Sequence, residues 1–197
     1  MLIDLAADTL RYQRGLNRKD GRIKAIDSVF IFFNNHYDVT TISGQLFKTF
    51  RRTSWDQNFT RNTITIDQLK NAGAMRLIRN KAVIDSITAY DFQCEYYVSL
   101  YGEYYTTHQQ LDFRNLEKLV NARELLPLYI SNTSNGIVSN IPDSMQIHIN
   151  REGINELLNF LMQVKIYAIQ EVDQFRRLKR SATNLMALIR KEYHIKG

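Results

Sequence analysis

Apolar residues recur at heptad spacing in two long stretches, one near each end of the chain. The N-terminal ladder covers residues 2–33, and only Thr9 and Lys19 interrupt it. The C-terminal ladder covers residues 154–189 and contains one charged residue, Glu171. A heptad pattern kept over about five repeats is typical of long helices that bury one side along their whole length. We therefore expect a long helix at each end. The ladder residues are Leu2, Leu5, Thr9, Tyr12, Leu16, Lys19, Ile23, Ile26, Phe30 and Phe33, then Ile154, Leu157, Leu161, Val164, Ala168, Glu171, Phe175, Leu178, Ala182, Leu185 and Ile189.

The sequence also indicates where the first helix and a central helix lie. The first helix is expected over residues 2–34, with Gly15 and Gly21 weakening it on its polar side. Asn80 can cap a central helix, because its side-chain oxygen can accept a bond from an early helical N–H. This helix is expected to continue to about Leu126, where a proline follows.

The segment 43–80 between these helices is predicted to hold short helices and connectors. Thr65 and Gln68 have the spacing of a capping box, in which each side chain satisfies a backbone N–H of the helix start. Gly73 can then end that helix in a left-handed conformation. This part of the chain is therefore expected to form a broken fourth element.

Residues 127–150 are predicted to form a loop with a short extended piece at 146–149. Asn150 can cap the last helix, which is expected to reach about His194. These elements predict an all-α fold, an up-down bundle of three long helices with a broken fourth element. At 197 residues and 44% hydrophobic composition, we expect one domain covering residues 1–197.

The net charge of +6 is distributed unevenly along the chain. Residues 81–126 carry −3, while residues 35–80 and 151–197 each carry +4. One interpretation is charge complementarity between helices inside the bundle. The alternative is that the basic parts face an anionic membrane or nucleic acid.

The chain contains no long apolar run. The longest, Val29–Phe33, falls far short of the roughly 20 residues that a helix needs to cross a bilayer. The heptad pattern is already running at Leu2, with no capping residue before it. This uncapped start leads us to expect that Met1 begins a fragment of something longer.

Residues 63–90 contain a run of spaced motifs. A Leu-Lys-x-x-Gly motif is followed by Leu-Ile-x-Asn-Lys, and the matching residues are Leu69, Lys70, Gly73, Leu77, Ile78, Asn80, Lys81, Ile84, Ile87 and Tyr90. This pattern resembles a family of uncharacterised bacterial proteins that carry a single membrane anchor, and stretches 5–9 and 184–193 are also similar. The resemblance implies an extracytoplasmic helical domain held to the membrane by a segment outside this chain. It implies no catalytic residue, because the family has no established activity.

Residue patterns for catalysis or metal binding are not found in the sequence. The four histidines fall in different segments without metal-ligand spacing, and no phosphate-binding glycine loop or nucleophile motif occurs. Cys94 has acidic neighbours in sequence, Asp91 and Glu95, and a core thiol is the simpler interpretation. His108 is expected to be a buried, hydrogen-bonded histidine. We therefore predict no catalytic, cofactor or metal site and no enzyme activity.

Two side-chain clusters are candidates for binding. Tyrosines on one side of the central helix can form core packing, a ligand pocket or a partner surface. Basic residues on the last helix can contact phosphate groups or a membrane, or can form a solvated face beside the acidic central helix. The first cluster is Tyr97, Tyr101, Tyr104 and His108, and the second is Arg176, Arg177, Lys179 and Arg180.

Three hypotheses of function follow. The first is a non-enzymatic, membrane-anchored extracytoplasmic bundle that senses or scaffolds something in the cell envelope, with a protein partner or a second copy of itself. The second, which we favour less, is a cytoplasmic basic bundle that binds nucleic acid. The third is an enzyme of a type that these motifs do not reveal.

Overall fold

The structure is a computed structural model that describes residues 1–36, 38–54, 62–121, 123–126 and 141–195. Its described residues are almost entirely helical, so the predicted all-α fold is confirmed. The long helices are α1 (Leu2–Asn35), α4 (Lys81–Leu119) and α6 (Arg151–Glu192). The shorter elements are α2 (Gly44–Ser54), α3 (Ile64–Asn71), a 3-10 helix (Ala74–Leu77), the helical residues 123–126 (α5), and the strands β1 (Thr41–Ser43) and β2 (Gln146–His148).

The chain divides into two compact units, and the division passes through all three long helices. The first unit contains Met1–Lys19, Asn58–Glu103 and Gln170–Gly197. The second contains Asp20–Gln57 and Tyr104–Ile169. Each unit therefore takes one segment from each of α1, α4 and α6.

Helix α6 buries the side that its heptad pattern predicts. All eleven ladder residues from Ile154 to Ile189 are buried, including Glu171. A continuous seam of this kind is what a long bundle helix needs, because each turn must contribute to the apolar side. The C-terminal ladder is confirmed residue by residue.

Helix α1 buries a side that is rotated from the predicted one. The ladder positions Leu5, Tyr12, Lys19, Ile26 and Phe33 are buried as expected. Their alternate partners are not, since Leu2, Thr9, Leu16, Ile23 and Phe30 are only half-buried. The positions one residue earlier complete the seam, and these are Asp8, Gly15, Arg22 and Val29. Because two of these four positions are charged and a third is glycine, the apolar pattern of the sequence did not reveal this register.

Contacts within the first unit show the directions of α1 and α6. Lys19 contacts Glu171, and Lys179 donates to Gln13 at 2.6 Å. The earlier of these two α1 residues contacts the later of the two α6 residues. The two helices therefore run antiparallel there. The complete up-down path of the chain stays a prediction, because residues 55–61 lie outside the described part.

The ends of the later helices follow their predicted caps. Asn80 accepts the N–H of Ala82 at 2.8 Å, and Asn150 accepts that of Glu152 at 3.1 Å, so both caps are confirmed. Helix α4 ends at Leu119 rather than at 126. The Leu119 carbonyl accepts the Asn150 N–H at 2.8 Å, and the next residue pairs with the β2 segment instead of continuing the helix.

The predicted capping box at Thr65 is wrong, whereas the glycine stop is confirmed. Helix α3 begins at Ile64, before Thr65, and the Thr65 hydroxyl instead donates to the Asp4 carboxylate of α1. Gly73 has a φ of 63°, the left-handed conformation expected after a helix end. The Thr65 hydroxyl thus bonds to a residue distant in sequence instead of capping the helix.

A small two-stranded sheet lies in the second unit. Strands β1 and β2 are antiparallel, and Ile42 lies opposite Ile147. Both of these side chains are buried in a hydrophobic cluster that also contains Phe47 from α2 and Leu161 from α6. The extended piece predicted at 146–149 is therefore present as β2 and serves this core.

Gly15 is the close-approach position of the first unit, which corrects its assignment to the polar side of α1. A Cβ added at Gly15 would lie 2.5 Å from the Phe175 ring, whereas one added at Gly21 would meet nothing within 4 Å.

We predict that Gly15→Ala lowers the free energy of unfolding by about 1–3 kcal/mol through overpacking. Gly21→Ala, the matched control, should raise it by about 0.5–1 kcal/mol through helix propensity. Urea unfolding measures both, and equal stabilisation by the two substitutions would contradict the packing of α1 on α6.

Candidate functional site

Tyr97 and Tyr101 are core residues of the first unit. Each is 2% exposed, and their ring centroids lie 4.7 Å apart. The Tyr97 hydroxyl donates to Glu171 at 2.7 Å. They do not form the ligand or partner surface proposed for them, because a buried carboxylate on α6 holds Tyr97 inside the core.

Glu171 is the centre of a buried polar group in the same unit. Its other carboxylate oxygen lies 2.5 Å from the Lys19 ammonium, and the two side chains are 0% and 2% exposed. Buried charges are stable only when they are paired and hydrogen-bonded. Lys19, Tyr97 and Glu171 therefore link α1, α4 and α6 through one ionic group.

A second buried group in the first unit involves Asp8, Tyr12, Tyr90 and Cys94. The Tyr90 hydroxyl donates to Asp8 at 2.8 Å and lies 2.9 Å from the Tyr12 hydroxyl. Tyr12 is also 3.4 Å from the Cys94 sulfur. Burial raises the pKa of both tyrosines above the ordinary value of 10.0, so they stay protonated. These groups bond to one another within the core.

Tyr104 and His108 lie in the second unit, in an aromatic cluster with Phe160 and Tyr167. The Tyr104 ring centroid is 3.8 Å from that of His108 and 4.0 Å from that of Tyr167. Burial, and then the charge of Arg22, lower the pKa of His108 to about 4. Its Nδ1 atom is buried without a hydrogen-bond partner among the described residues. At neutral pH His108 is therefore an uncharged ring packed against aromatic side chains, and within the described part of the chain its Nδ1 atom does not make the hydrogen bond expected of a buried histidine.

The basic cluster lies along the outer side of α6. Arg176 and Arg180 are exposed. Arg177 pairs with Asp173 at 2.8 Å, and Lys179 donates to Gln13. The structure thus keeps these side chains near solvent, and two of them have partners within the first unit.

Among the residues that the structure describes, no three His, Cys, Asp or Glu side chains come close enough to hold a metal ion. Nor does any described helix combine the length and the apolar character needed to cross a bilayer.

An open apolar groove lies between α1 and α6 in the second unit. It has a volume of about 610 Å³, and its lining includes Phe30 and Ile31 from α1 and Ile154 and Leu158 from α6. Ile31 is 63% exposed. Large apolar side chains at an open groove are typical of binding surfaces, because burying them on binding is favourable.

A row of apolar side chains continues from this groove along α6. Met162, Ile166 and Ile169 are 53%, 51% and 51% exposed. With Leu158 they occupy positions i, i+4, i+8 and i+11, which share one side of a helix. That side is distinct from the buried seam, so α6 has one apolar side in the core and another facing solvent. We call the groove and this row together the apolar surface.

Sequence reasoning did not identify the apolar surface, although a signal for it is present. The run Val29–Phe33 has five apolar residues, but the seam uses only Val29 and Phe33. Three consecutive apolar residues are left over, and Phe30 and Ile31 among them line the groove. An apolar run longer than one helix side requires is the pattern that marks such a surface.

No protein family, curated protein or solved structure matches this chain. The resemblance at residues 63–90 stays an expectation. The fold and the apolar surface are therefore the basis for any statement about function.

The lowered pKa of His108 gives a pH dependence of stability. In the unfolded chain the ring has its ordinary pKa of 6.5, so the unfolded state binds a proton first as the pH falls. The contribution of the neutral ring is complete above pH 6.5 and is lost as the pH falls towards about 4. We predict that the wild type loses more stability than His108→Gln between pH 7 and pH 4.5, as measured by urea unfolding. Parallel losses in the two proteins would contradict a neutral, partly buried His108.

Proposed function

We propose that this chain is a non-enzymatic helical scaffold that self-associates through the apolar surface. The supporting observation is the row of half-exposed apolar residues on α6 beside an open apolar groove. Exposed apolar patches of this kind usually mark sites of association, because water is expelled when they are covered.

A second copy of the chain fits the apolar surface because the row is self-complementary. If two α6 helices pack antiparallel about a two-fold axis that crosses the exposed row midway between Met162 and Ile166, Met162 of one copy meets Ile166 of the other. Leu158 of one copy then lies near Ile169 of the other. A two-fold interface requires this reciprocity, since the same patch serves both copies.

The charge beside the row is compatible with this pairing. Lys165 lies next to the apolar row on α6. In the dimer it would face Lys165 of the second copy across the two-fold axis. Its ammonium is paired with Asp27 of α1 within the second unit. The ion pair reduces the repulsion that two facing lysines would otherwise cause.

The remaining parts of the proposal have separate support. A non-enzymatic role is supported by Cys94, Asp8 and Glu171, whose buried side chains bond to core partners. A position in the cell envelope, on the outer face of the inner membrane and held by a segment outside this chain, is supported by the resemblance at residues 63–90. The association surface and the location are independent, so either can fail alone.

Sedimentation equilibrium over a range of concentrations tests self-association. We predict that the wild type forms a dimer and that Met162→Glu combined with Ile166→Glu weakens dimerisation at least about tenfold, because each carboxylate would be buried unpaired. The matched control is Ile3→Glu combined with Leu10→Glu. These exposed apolar residues of α1 lie in the first unit, and the control should dimerise like the wild type.

Circular dichroism checks that each variant keeps its helical fold. A wild type that stays monomeric at all concentrations would rule out a second copy as the occupant. Equal weakening by the α1 control would show that association depends on general hydrophobicity or charge rather than on the apolar surface.

A further inference from the structure

A polar groove lies between α4 and α6 in the first unit, apart from the apolar surface. Its volume is about 580 Å³, which is the size of a small-molecule site. Leu178, a buried seam residue, is also part of its lining. The other lining side chains are polar or aromatic, so the groove differs in chemistry from the one in the second unit.

The two helices present these side chains at regular spacing. Gln174, Arg177, Ser181 and Asn184 occupy positions i, i+3, i+7 and i+10 of α6, which form one side of that helix. On α4, Gln93 and Tyr96 are three residues apart and line the facing wall. Both helices are rigid, so the spacing between the Cα atoms of these residues is set before a ligand binds.

Arg177 and Arg180 give the groove its charge. A guanidinium group binds a phosphate through charge-assisted hydrogen bonds, often two at once. Arg177 is paired with Asp173, but these side chains are 69% and 55% exposed. Exposed ion pairs contribute little, so a doubly charged anion can replace Asp173 as the partner of Arg177.

Tyr96 and the neutral polar groups indicate what the ligand carries besides a phosphate. The Tyr96 side chain is 52% exposed and offers a ring face against which a sugar ring can pack. The amides of Gln93, Gln174 and Asn184 each provide donors and an acceptor, which suit the hydroxyl groups of a sugar. A bare inorganic anion would use the arginines and leave these groups unused.

We propose that this groove binds a sugar phosphate. Arg177 and Arg180 hold the phosphate, Tyr96 packs against the sugar ring, and the amides bond its hydroxyl groups. The same chemistry occurs in a free sugar phosphate and in a nucleotide, which carries a ribose phosphate. The site is independent of self-association through the apolar surface.

Calorimetric titration of the full chain with ribose 5-phosphate tests the proposal. We expect binding that Arg180→Gln weakens about tenfold or more, because a charge-assisted hydrogen bond is lost. The matched control is Arg176→Gln, which removes the same charge from an exposed position of α6 that does not line the groove. This control should change the affinity by less than about twofold, because an exposed charge that makes no hydrogen bond to the ligand is weakened by water and salt.

Further ligands separate the parts of the proposal. Inorganic phosphate should bind more weakly than ribose 5-phosphate, and Tyr96→Leu should lower the affinity for ribose 5-phosphate without changing that for inorganic phosphate. Tighter binding of AMP, removed by Tyr96→Leu, would identify a nucleotide as the source of the sugar phosphate. Weaker binding of AMP than of ribose 5-phosphate and glucose 6-phosphate would identify a free sugar phosphate.

Three results would overturn the proposal. The first is no binding of any of these ligands. The second is inorganic phosphate binding as tightly as ribose 5-phosphate, which would leave an anion site without a sugar. The third is equal weakening by Arg176→Gln and Arg180→Gln, which would reduce the effect to the overall charge of α6.

Discussion

Lys19 and Glu171 form an ion pair in the core of the first unit, at heptad positions that apolar residues would ordinarily fill. Their charged atoms lie 2.5 Å apart, and Tyr97 donates to the other carboxylate oxygen of Glu171. Because each charge is stable in the core only beside the other, a shift of α1 against α6 by one turn would leave two buried charges unpaired. The pair therefore fixes the register of α1, α4 and α6, and the nearby packing of Gly15 against Phe175 depends on that register.

The predictions from sequence succeeded where one residue type had one plausible role. The ladder of α6 is apolar at ten of its eleven positions, and all eleven are buried. Asn80 and Asn150 cap helices because a short amide before an apolar run has few other uses. On α1 the same reasoning chose the wrong alternate positions. Asp8 and Arg22 are buried through partners distant in sequence, Tyr90 and the Thr53 carbonyl, which local spacing does not reveal.

The candidate sites were harder to predict than the fold for the same reason. Tyr97 and Tyr101 were chosen for their spacing, but the buried carboxylate of Glu171 places them in the core. The apolar surface consists of residues left over after the seam is assigned, so it becomes visible only when the seam is known. The polar groove combines residues of α4 and α6 that are about 80 positions apart. Of its members, Arg177 and Arg180 belonged to the basic cluster that the sequence singled out.

A double-mutant cycle at Lys19 and Glu171 tests most directly whether this ion pair fixes the register of the helices. Lys19→Met and Glu171→Gln would be made singly and together, with the free energy of unfolding measured in urea. Each single substitution removes the oppositely charged partner of a buried charge and should cost about 3–5 kcal/mol, whereas the double variant should cost much less than the sum. Small and additive losses would contradict a buried, coupled pair and the register that depends on it.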